Sequence, residues 1–272
     1  MYSLQGKVAV VTGAGSGIGR ALARLLAAKG CRLALADINE AGLKETAAGL
    51  NVDVMTQKLD VADRAAVYAF AEAVKQRYGT AHVVINNAGV AVSQTIAALK
   101  YEDFEWLMGI NFWGVVYGTK AFLPMLQAQN DGVVVNISSV FGLFAWPAQG
   151  AYNAAKFAVR GFTECLRNEV RGTGVRTVCV HPGGIKTNIV KSSRMYVDHD
   201  GNMDKKKSED DFQRLAGTTP ERAAEIIVDG IERGRDKVLV GPDAKFFDLM
   251  VRLFPVRHTA ILIALARRMR RS

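Results

Sequence analysis

The chain has 272 residues, 49% of them hydrophobic and 22% charged, with a formal net charge of +9. This balance suits a folded globular protein and excludes a disordered or fibrous one. Residues 252–272 hold six arginines and no acid, so the rest of the chain carries only +3 and shows no body-wide nucleic-acid footprint.

In chain order, residues 7–12 (KVAVVT) read as a buried strand. Glycines follow at 13, 15, 17 and 19, then a helix over 20–29. A second apolar strand over 31–36 ends at Asp37. A third strand is expected at 51–57, a helix at 63–77 and a fourth strand at 81–85. The alternation continues with helix 112–128, strand 132–137, helix 151–171, strand 175–180, helix 220–233 and strand 237–240. Short, continuously apolar strands separated by helices indicate a parallel sheet covered on both faces. The expected fold is therefore α/β, a doubly wound, mostly parallel seven-stranded sheet. One domain is expected over 1–241. It includes a polar segment at 188–218 without apolar period, which reads as a solvent-facing insertion or mobile stretch. Residues 242–272 form an amphipathic, basic extension.

No signal peptide is read at the start, and the apolar run at 260–266 is far short of the roughly 20 residues a bilayer needs, so a cytoplasmic location is expected. Cys31, Cys165 and Cys179 form no CxxC pair and read as buried reduced thiols. The four histidines, at 82, 181, 199 and 258, have no ligand spacing with acids or cysteines, and no metal is expected.

The first strand delivers Gly13, Gly15, Ser16, Gly17, Ile18 and Gly19 into a helix. Glycine there permits a tight turn and close backbone approach, and a helix N-terminus offers N–H groups to phosphate. Strand, glycines and helix in this order point to a dinucleotide site. Asp37 can accept from adenosine ribose hydroxyls and would repel a 2′-phosphate, which favours NAD over NADP; it can equally be a turn former. Asp60, after the third strand, can accept from an adenine amino group, with Val61 beside it. Asn86-Asn87-Ala88-Gly89 ends the fourth strand, where open sheets bind ligands. Asn87, Ala88 and Gly89 can line a cofactor, or the asparagines can tie strands together.

Ser138 and Ser139 end the fifth strand, and Tyr152 and Lys156 share a helical face at i, i+4 spacing. Moving a hydride to or from a carbinol carbon requires a proton to leave or reach the substrate oxygen. Tyrosine, with an ordinary pKa near 10, is a poor base at neutral pH; a nearby ammonium favours its phenolate. Lys156 can do this and also bond the nicotinamide ribose, which puts Tyr152 and Lys156 among the cofactor contacts. Ser139 can hold the substrate oxygen near Tyr152.

Taken together, Thr12-Gly13-x-x-x-Gly17-Ile18-Gly19, Asn86-Asn87-Ala88-Gly89, Ser139, Tyr152-x-x-x-Lys156 and Pro182-Gly183 resemble the short-chain dehydrogenase/reductase family, in its NAD-preferring form. The resemblance spans residues 7 to about 190 and extends weakly to 241. It implies that Ser139 rather than Ser138 is catalytic, lying 13 residues before Tyr152. It implies a fourth catalytic residue, Asn111, holding a water in a proton relay. It implies cofactor contacts from Pro182, Gly183, Ile185 and Thr187, and a homodimer or homotetramer pairing helices 112–128 and 151–171.

The 140–147 segment reads VFGLFAWP. Phe141, Leu143, Phe144 and Trp146, with Val92, Met195 and Tyr196, are expected to face a small hydrophobic alcohol or ketone, unless some of them pack the core or an interface. The tail spacings 246/250/254 and 247/251 form a helical stripe ending in a basic RRMRR. It either packs on the domain or a partner, or meets anionic lipid as a peripheral membrane contact. Two alternatives to an NAD-dependent dehydrogenase stand at this point: an NADPH-dependent carbonyl reductase and a non-catalytic dinucleotide sensor or scaffold.

Overall fold

A computed structural model describes residues 1–197 and 205–269. Its sheet is built from β1 (Val8–Thr12), β2 (Arg32–Asp37), β3 (Val54–Lys58), β4 (Val83–Asn86), β6 (Gly132–Ile137), β7 (Val175–Pro182) and β9 (Lys237–Val240), in the order β3-β2-β1-β4-β6-β7-β9. Every pairing is parallel, with Val11 opposite Leu35 on one side and Ile85 on the other. A second, two-stranded sheet pairs β5 (Val92–Ser93) with β8 (Arg194–Met195).

Strand residues alternate between two faces. Ala9 and Val11 pack with Leu22 and Leu26 of α1 (Gly17–Ala28) and with Ile227 and Ile231 of α8 (Pro220–Glu232). Val8 and Val10 pack on the opposite face with Phe70 and Val74 of α3 (Arg64–Tyr78) and Phe122 and Leu126 of α5 (Gly114–Ala128). Burying one such aliphatic or aromatic side chain contributes about 1.5–3 kcal/mol, so both faces must be covered, and helices cover both. The chain reverses its winding between β2-β1 and β4, which opens a crevice at the carboxyl ends of β1 and β4.

Several elements differ from expectation. Between β2 and β3 lies α2 (Glu40–Ala47), capped by the Asn39 side chain, which accepts from the Gly42 N–H. Ahead of α5 lie α4 (Tyr101–Met108) and a π-helical turn (Gly109–Trp113). The extra residue of that turn breaks the 3.6 period, which is why the helix read from sequence began only at 112. The polar segment at 188–218 contains β8 and α7 (Lys205–Leu215). Lys, Glu, Gln, Arg and Leu favour helix without an apolar stripe. Its residues 198–204 lie outside the described residues. Cys31 and Cys179 are buried, but Cys165 is exposed. It lies off the inner face of α6 (Gly150–Glu169), whose buried positions include 155, 156, 159, 163 and 166.

The tail forms α9 (Pro242–Leu253) and α10 (His258–Met269). The expected single stripe is two. Phe247 and Val251 turn inward with Ala244 onto Val140 and Phe144, where Leu262 of α10 joins them. Phe246 and Phe254, from the other spacing, are exposed. Residues 246 and 247 are about 100° apart around a helix, so they cannot share one narrow stripe.

Candidate active site

The carboxyl ends of β1, β2, β4, β6 and β7 meet at one rim. Gly13, in a left-handed conformation (φ 66°), turns the chain from β1 toward α1. A Cβ on Gly19 would overlap the Gly13 carbonyl oxygen and come within 2.7 Å of Asn87 Nδ2. Gly19→Ala is therefore expected to force the loop open. Dinucleotide affinity should fall at least about tenfold, and the melting midpoint by at least about 2–4 °C, the equivalent of 1 kcal/mol in a chain this size. Calorimetric titration and a thermal melt check both; unchanged affinity would mean the loop is no cradle.

Helices α2, α3 and α8 are capped by Asn39, Asp63 and Thr219 side chains, whereas Ser16, the N-cap of α1, makes no such bond and the first turn carries no acid. That helix end keeps its N–H groups and positive dipole for an anion, which fits a pyrophosphate. Thr187 faces it: a Cβ on Gly17 would lie 3.2 Å from Thr187 Cγ2. Gly15 belongs to the loop and Ile18 to the first turn of α1.

Asp37 Oδ2 accepts from the Gly15 N–H (2.8 Å) and Oδ1 from the Asn39 N–H (2.8 Å). The carboxylate is thus pinned against the glycine loop. The Arg20 guanidinium is occupied by the Gly15 carbonyl (2.5 Å), Thr46 Oγ1 (3.0 Å) and Glu45 (2.8 Å). Asp60 lies at the same rim, with Oδ1 accepting from the Ala62 N–H. The Val61 side chain is buried against Gly114.

The asparagines of 86–89 do tie strands. Asn86 Nδ2 donates to Thr119 Oγ1 (3.2 Å) and to Asn136 Oδ1 (2.8 Å), linking β4 to β6. Asn87 Nδ2 donates to the Thr12 and Gly13 carbonyls, linking β4 to β1. The backbone N–H groups of Asn87 and Ala88 both donate to Thr12 Oγ1 (3.0 and 3.2 Å). Gly89 lies between two expected relay members: a Cβ on it would be 3.3 Å from Asn111 Oδ1 and 3.7 Å from Lys156 Nζ. Asn111, fully buried on the π-helical turn, accepts from the Val90 N–H and donates to the Val90 carbonyl, both at 2.8 Å.

The two serines are separated by geometry. Ser138 donates to the Lys156 carbonyl (2.8 Å), while Ser139 is hydrogen-bonded to Tyr152. Ser139 Oγ also accepts from the Phe141 N–H (3.1 Å). Lys156 Nζ donates to the Ile137 carbonyl (2.9 Å) and sits 5.6 Å from the Tyr152 ring centroid. Burial pushes the Tyr152 phenol up to about 12, against the Ser139 hydrogen bond, and pushes the Lys156 ammonium down to about 8. The expectation that Lys156 lowers Tyr152 below its ordinary value is not met in the chain by itself. Both groups share one desolvated region, and desolvation disfavours each charged form.

Residues that sequence reasoning missed hold this set in place. His181, buried on β7, donates from Nδ1 to the Ser139 carbonyl (3.0 Å); burial lowers it to about 4, so it is neutral with Nε2 bare. Asn153 gathers the 140–147 segment, accepting from the Trp146 N–H and donating to the Phe141 and Phe144 carbonyls. Asp243 of α9 accepts from the Gly184 N–H (2.6 Å), beside Pro182 and Gly183. Ile185 is buried and bridges to Thr218. The His181 and Asp243 links join residues 42 and 59 positions apart, and no local spacing signals them.

The expected substrate-side residues divide. Phe141 stands edge-on to Tyr152 (6.1 Å between centroids) and, with Trp146, Met195 and Tyr196, is partly exposed. Val92, Leu143 and Phe144 are buried, the Phe144 ring tilted against Phe247 of α9 with centroids 4.7 Å apart. The strand bearing Met195 is fixed by Asp103, a buried carboxylate bonded to Gln94 (2.6 Å) and Arg194 (2.9 Å). Burial would raise Asp103, but hydrogen bonds from Arg194, Tyr196 and Gln94 outweigh it and hold the carboxyl below its usual range. Arg194 also lies 3.7 Å over the Trp106 ring. Among the described residues no cluster of metal ligands occurs, and no helix is long and apolar enough to cross a membrane.

The short-chain dehydrogenase family model matches residues 7–197. A putative oxidoreductase, SadH, of Mycobacterium tuberculosis is 48% identical over 97% of this chain and 96% of its own length. An estradiol 17-beta-dehydrogenase 11 of Macaca fascicularis is 30% identical over 96% of this chain and 83% of its own. Among solved structures, a short-chain dehydrogenase/reductase of Burkholderia phymatum in complex with NAD superposes with a TM-score of 0.84 and 31% identity, covering 97% of each chain. An alcohol dehydrogenase of the archaeon Thermococcus sibiricus, complexed with 5-hydroxy-NADP, gives a TM-score of 0.71 and 29% identity over 84% of this chain and 91% of its own. The chain belongs to the short-chain dehydrogenase/reductase family and is an NAD(P)-dependent oxidoreductase acting on CH–OH or C=O groups.

Proposed function

We propose that the protein transfers a hydride between NAD(H) and a hydrophobic secondary alcohol or ketone, with Tyr152 exchanging the substrate's proton. The observation that carries this reading is the joint placement of Ser139 and Tyr152 in hydrogen-bond contact, with Lys156 beside the ring and Phe141 edge-on to it. When bound, the dinucleotide supplies the acceptor or donor of the hydride. The protein's share is placement and proton movement. Ser139 Oγ, already accepting from the Phe141 N–H, would turn its hydrogen from Tyr152 to the substrate oxygen. Tyr152 takes the proton in oxidation and returns it in reduction. Lys156, beside the ring, would bond the nicotinamide ribose, and Asn111, anchored to Val90, would hold a water that passes the proton outward.

Gly13 to Gly19 and the α1 N-terminus would take the pyrophosphate, with Thr187, Ile185, Pro182 and Gly183 closing the nicotinamide side. Asp37 would take the ribose hydroxyls, Asp60 and Val61 the adenine, and the 87–89 backbone would line the dinucleotide. The preference for NAD is supported by Asp37 lying against the loop and by an Arg20 whose guanidinium is already engaged. Phe141, Trp146, Met195 and Tyr196 would form the apolar mouth, backed by Val92, Leu143 and Phe144. A homodimer or homotetramer through α5 and α6 belongs to the same reading.

A panel of alcohols and ketones with both cofactors, read at the reduced nicotinamide band, tests the proposal. Turnover is expected with apolar secondary alcohols and NAD. Asp37→Ser should weaken NAD binding and narrow the gap to NADP by about tenfold, one hydrogen-bonded carboxylate's worth. NADPH binding tenfold tighter than NADH in the unaltered protein would overturn the assignment of Asp37.

A further inference from the structure

We propose that the outer face of the C-terminal helices docks on an anionic phospholipid surface. Helix α9 has two apolar sides. Ala244, Phe247 and Val251 face the body of the protein. On the other side Phe246, Leu249 and Leu253 follow one another at helical spacing and are 46%, 54% and 62% exposed; Phe254 and Val256, in the turn to α10, are 42% and 88% exposed. Five large apolar side chains are exposed within the eleven residues 246–256, a clustering that single-chain surfaces seldom carry without a use.

The charge around the patch identifies the occupant. Lys245, Arg252 and Arg257 are exposed beside it. Asp248, the last acid in the chain, is inside and already bonded to Lys237 and Arg252. Beyond it the sequence adds arginines at 257, 267, 268, 270 and 271 and nothing to balance them. A second copy meeting this face across a two-fold axis would set the same cations against each other. Anionic headgroups would neutralise them while the acyl boundary takes the aromatic and aliphatic side chains. No described helix is long and apolar enough to cross a bilayer, so the contact is one that lies on the surface.

The docked face is close to the chemistry. Phe247 packs at a tilt against Phe144, Phe144 meets Phe141 edge-on at 5.5 Å, and Phe141 meets Tyr152. The docked helix is thus packed, through these rings, against the side chains around Tyr152.

The test pellets the full chain with vesicles of phosphatidylcholine alone and of equal parts phosphatidylcholine and phosphatidylglycerol, at low and high salt. Binding at least about tenfold stronger to the anionic vesicles at low salt is expected, and it should weaken as salt rises. The double variant Leu249→Glu/Leu253→Glu should lose more than about tenfold of that binding, and Arg257→Glu severalfold, with unchanged melting midpoints because these side chains are exposed. Equal pelleting on both vesicles, or none, overturns the proposal. So does a halved mass of the double variant in vesicle-free gel filtration, which would assign the face to a second copy. Absence of turnover on every soluble alcohol would instead refute the proposed function and leave the pelleting result standing.

Discussion

Tyr152→Phe is expected to lower kcat by about 10²- to 10⁴-fold, the usual range for one general acid or base, while leaving dinucleotide affinity nearly unchanged. The ring stays packed on the cluster of Val92, Leu107, Ala151 and Ala155 and edge-on to Phe141. What is lost is one hydroxyl and its hydrogen bond with Ser139. The pH profile sharpens the test. In the cofactor-free chain the phenol sits at about 12, so phenolate is scarce at neutral pH. Alcohol oxidation should climb with pH, reduction should not, and the residual rate of the variant should lose the climb. Steady-state rates in both directions, with fluorescence titration of the dinucleotide, decide it. Normal turnover by the variant would remove Tyr152 from the chemistry.

The second large effect concerns Lys156, whose burial has a thermodynamic signature separate from activity. Its folded pKa of about 8 lies below its ordinary 10.5. Between those values the unfolded chain binds more protons than the folded one, so stability rises with pH across that window. Below pH 8 both states are protonated, and the burial penalty is fully present and constant. Above 10.5 both are neutral and the penalty is gone. At about 1.36 kcal/mol per pKa unit, the recovery is on the order of 3 kcal/mol. Tyr152 acts in the opposite direction: its folded value of about 12 exceeds its ordinary 10.0, so its contribution declines between those two values. Lys156→Met should therefore lose most turnover and also the stability rise between pH 8 and 10. Urea titrations of both proteins at several pH values show the difference directly. Parallel stability curves would mean that the ammonium is well solvated and the relay is built differently.

Much of this site was legible in the sequence because its residues sit at the ends of strongly apolar strands. Runs such as VAVVT and GVVVNI are buried at every position, so their ends, and the Gly13, Asn87 and Ser139 that follow them, could be placed closely. Helices were harder where no stripe marks them. Helix α2 is short and α7 nearly all polar. Helix α4 runs into a π-helical turn that shifts the period. Choosing between Ser138 and Ser139 needed either a family resemblance or coordinates, since the two are adjacent and chemically identical. Only the fold shows that Ser138 is committed to the Lys156 carbonyl. His181, Asp243 and Asp103 were beyond reach for a common reason: each acts on backbone or charge brought to it by tertiary folding. In the aromatic segment the periodicity leaves pocket and core roles open, and the fold divides them: Phe144 is committed to the tail while Phe141 faces Tyr152.

The stitch between β5 and β8 has a kinetic consequence. Arg194 reaches Asp103 across 91 residues, and Ser93 reaches the Val197 carbonyl across 104. Closing loops of that length costs entropy before the new bonds return anything, so contacts of this kind form late. Strands β1 and β2, joined through one helix, can dock far earlier. The β1–α1–β2 part of the dinucleotide site is thus assembled from near neighbours, and the β5–β8 stitch waits for both ends of a long detour to meet. Trp106, lying under the Arg194 guanidinium, is the indole placed to register that last closure during refolding.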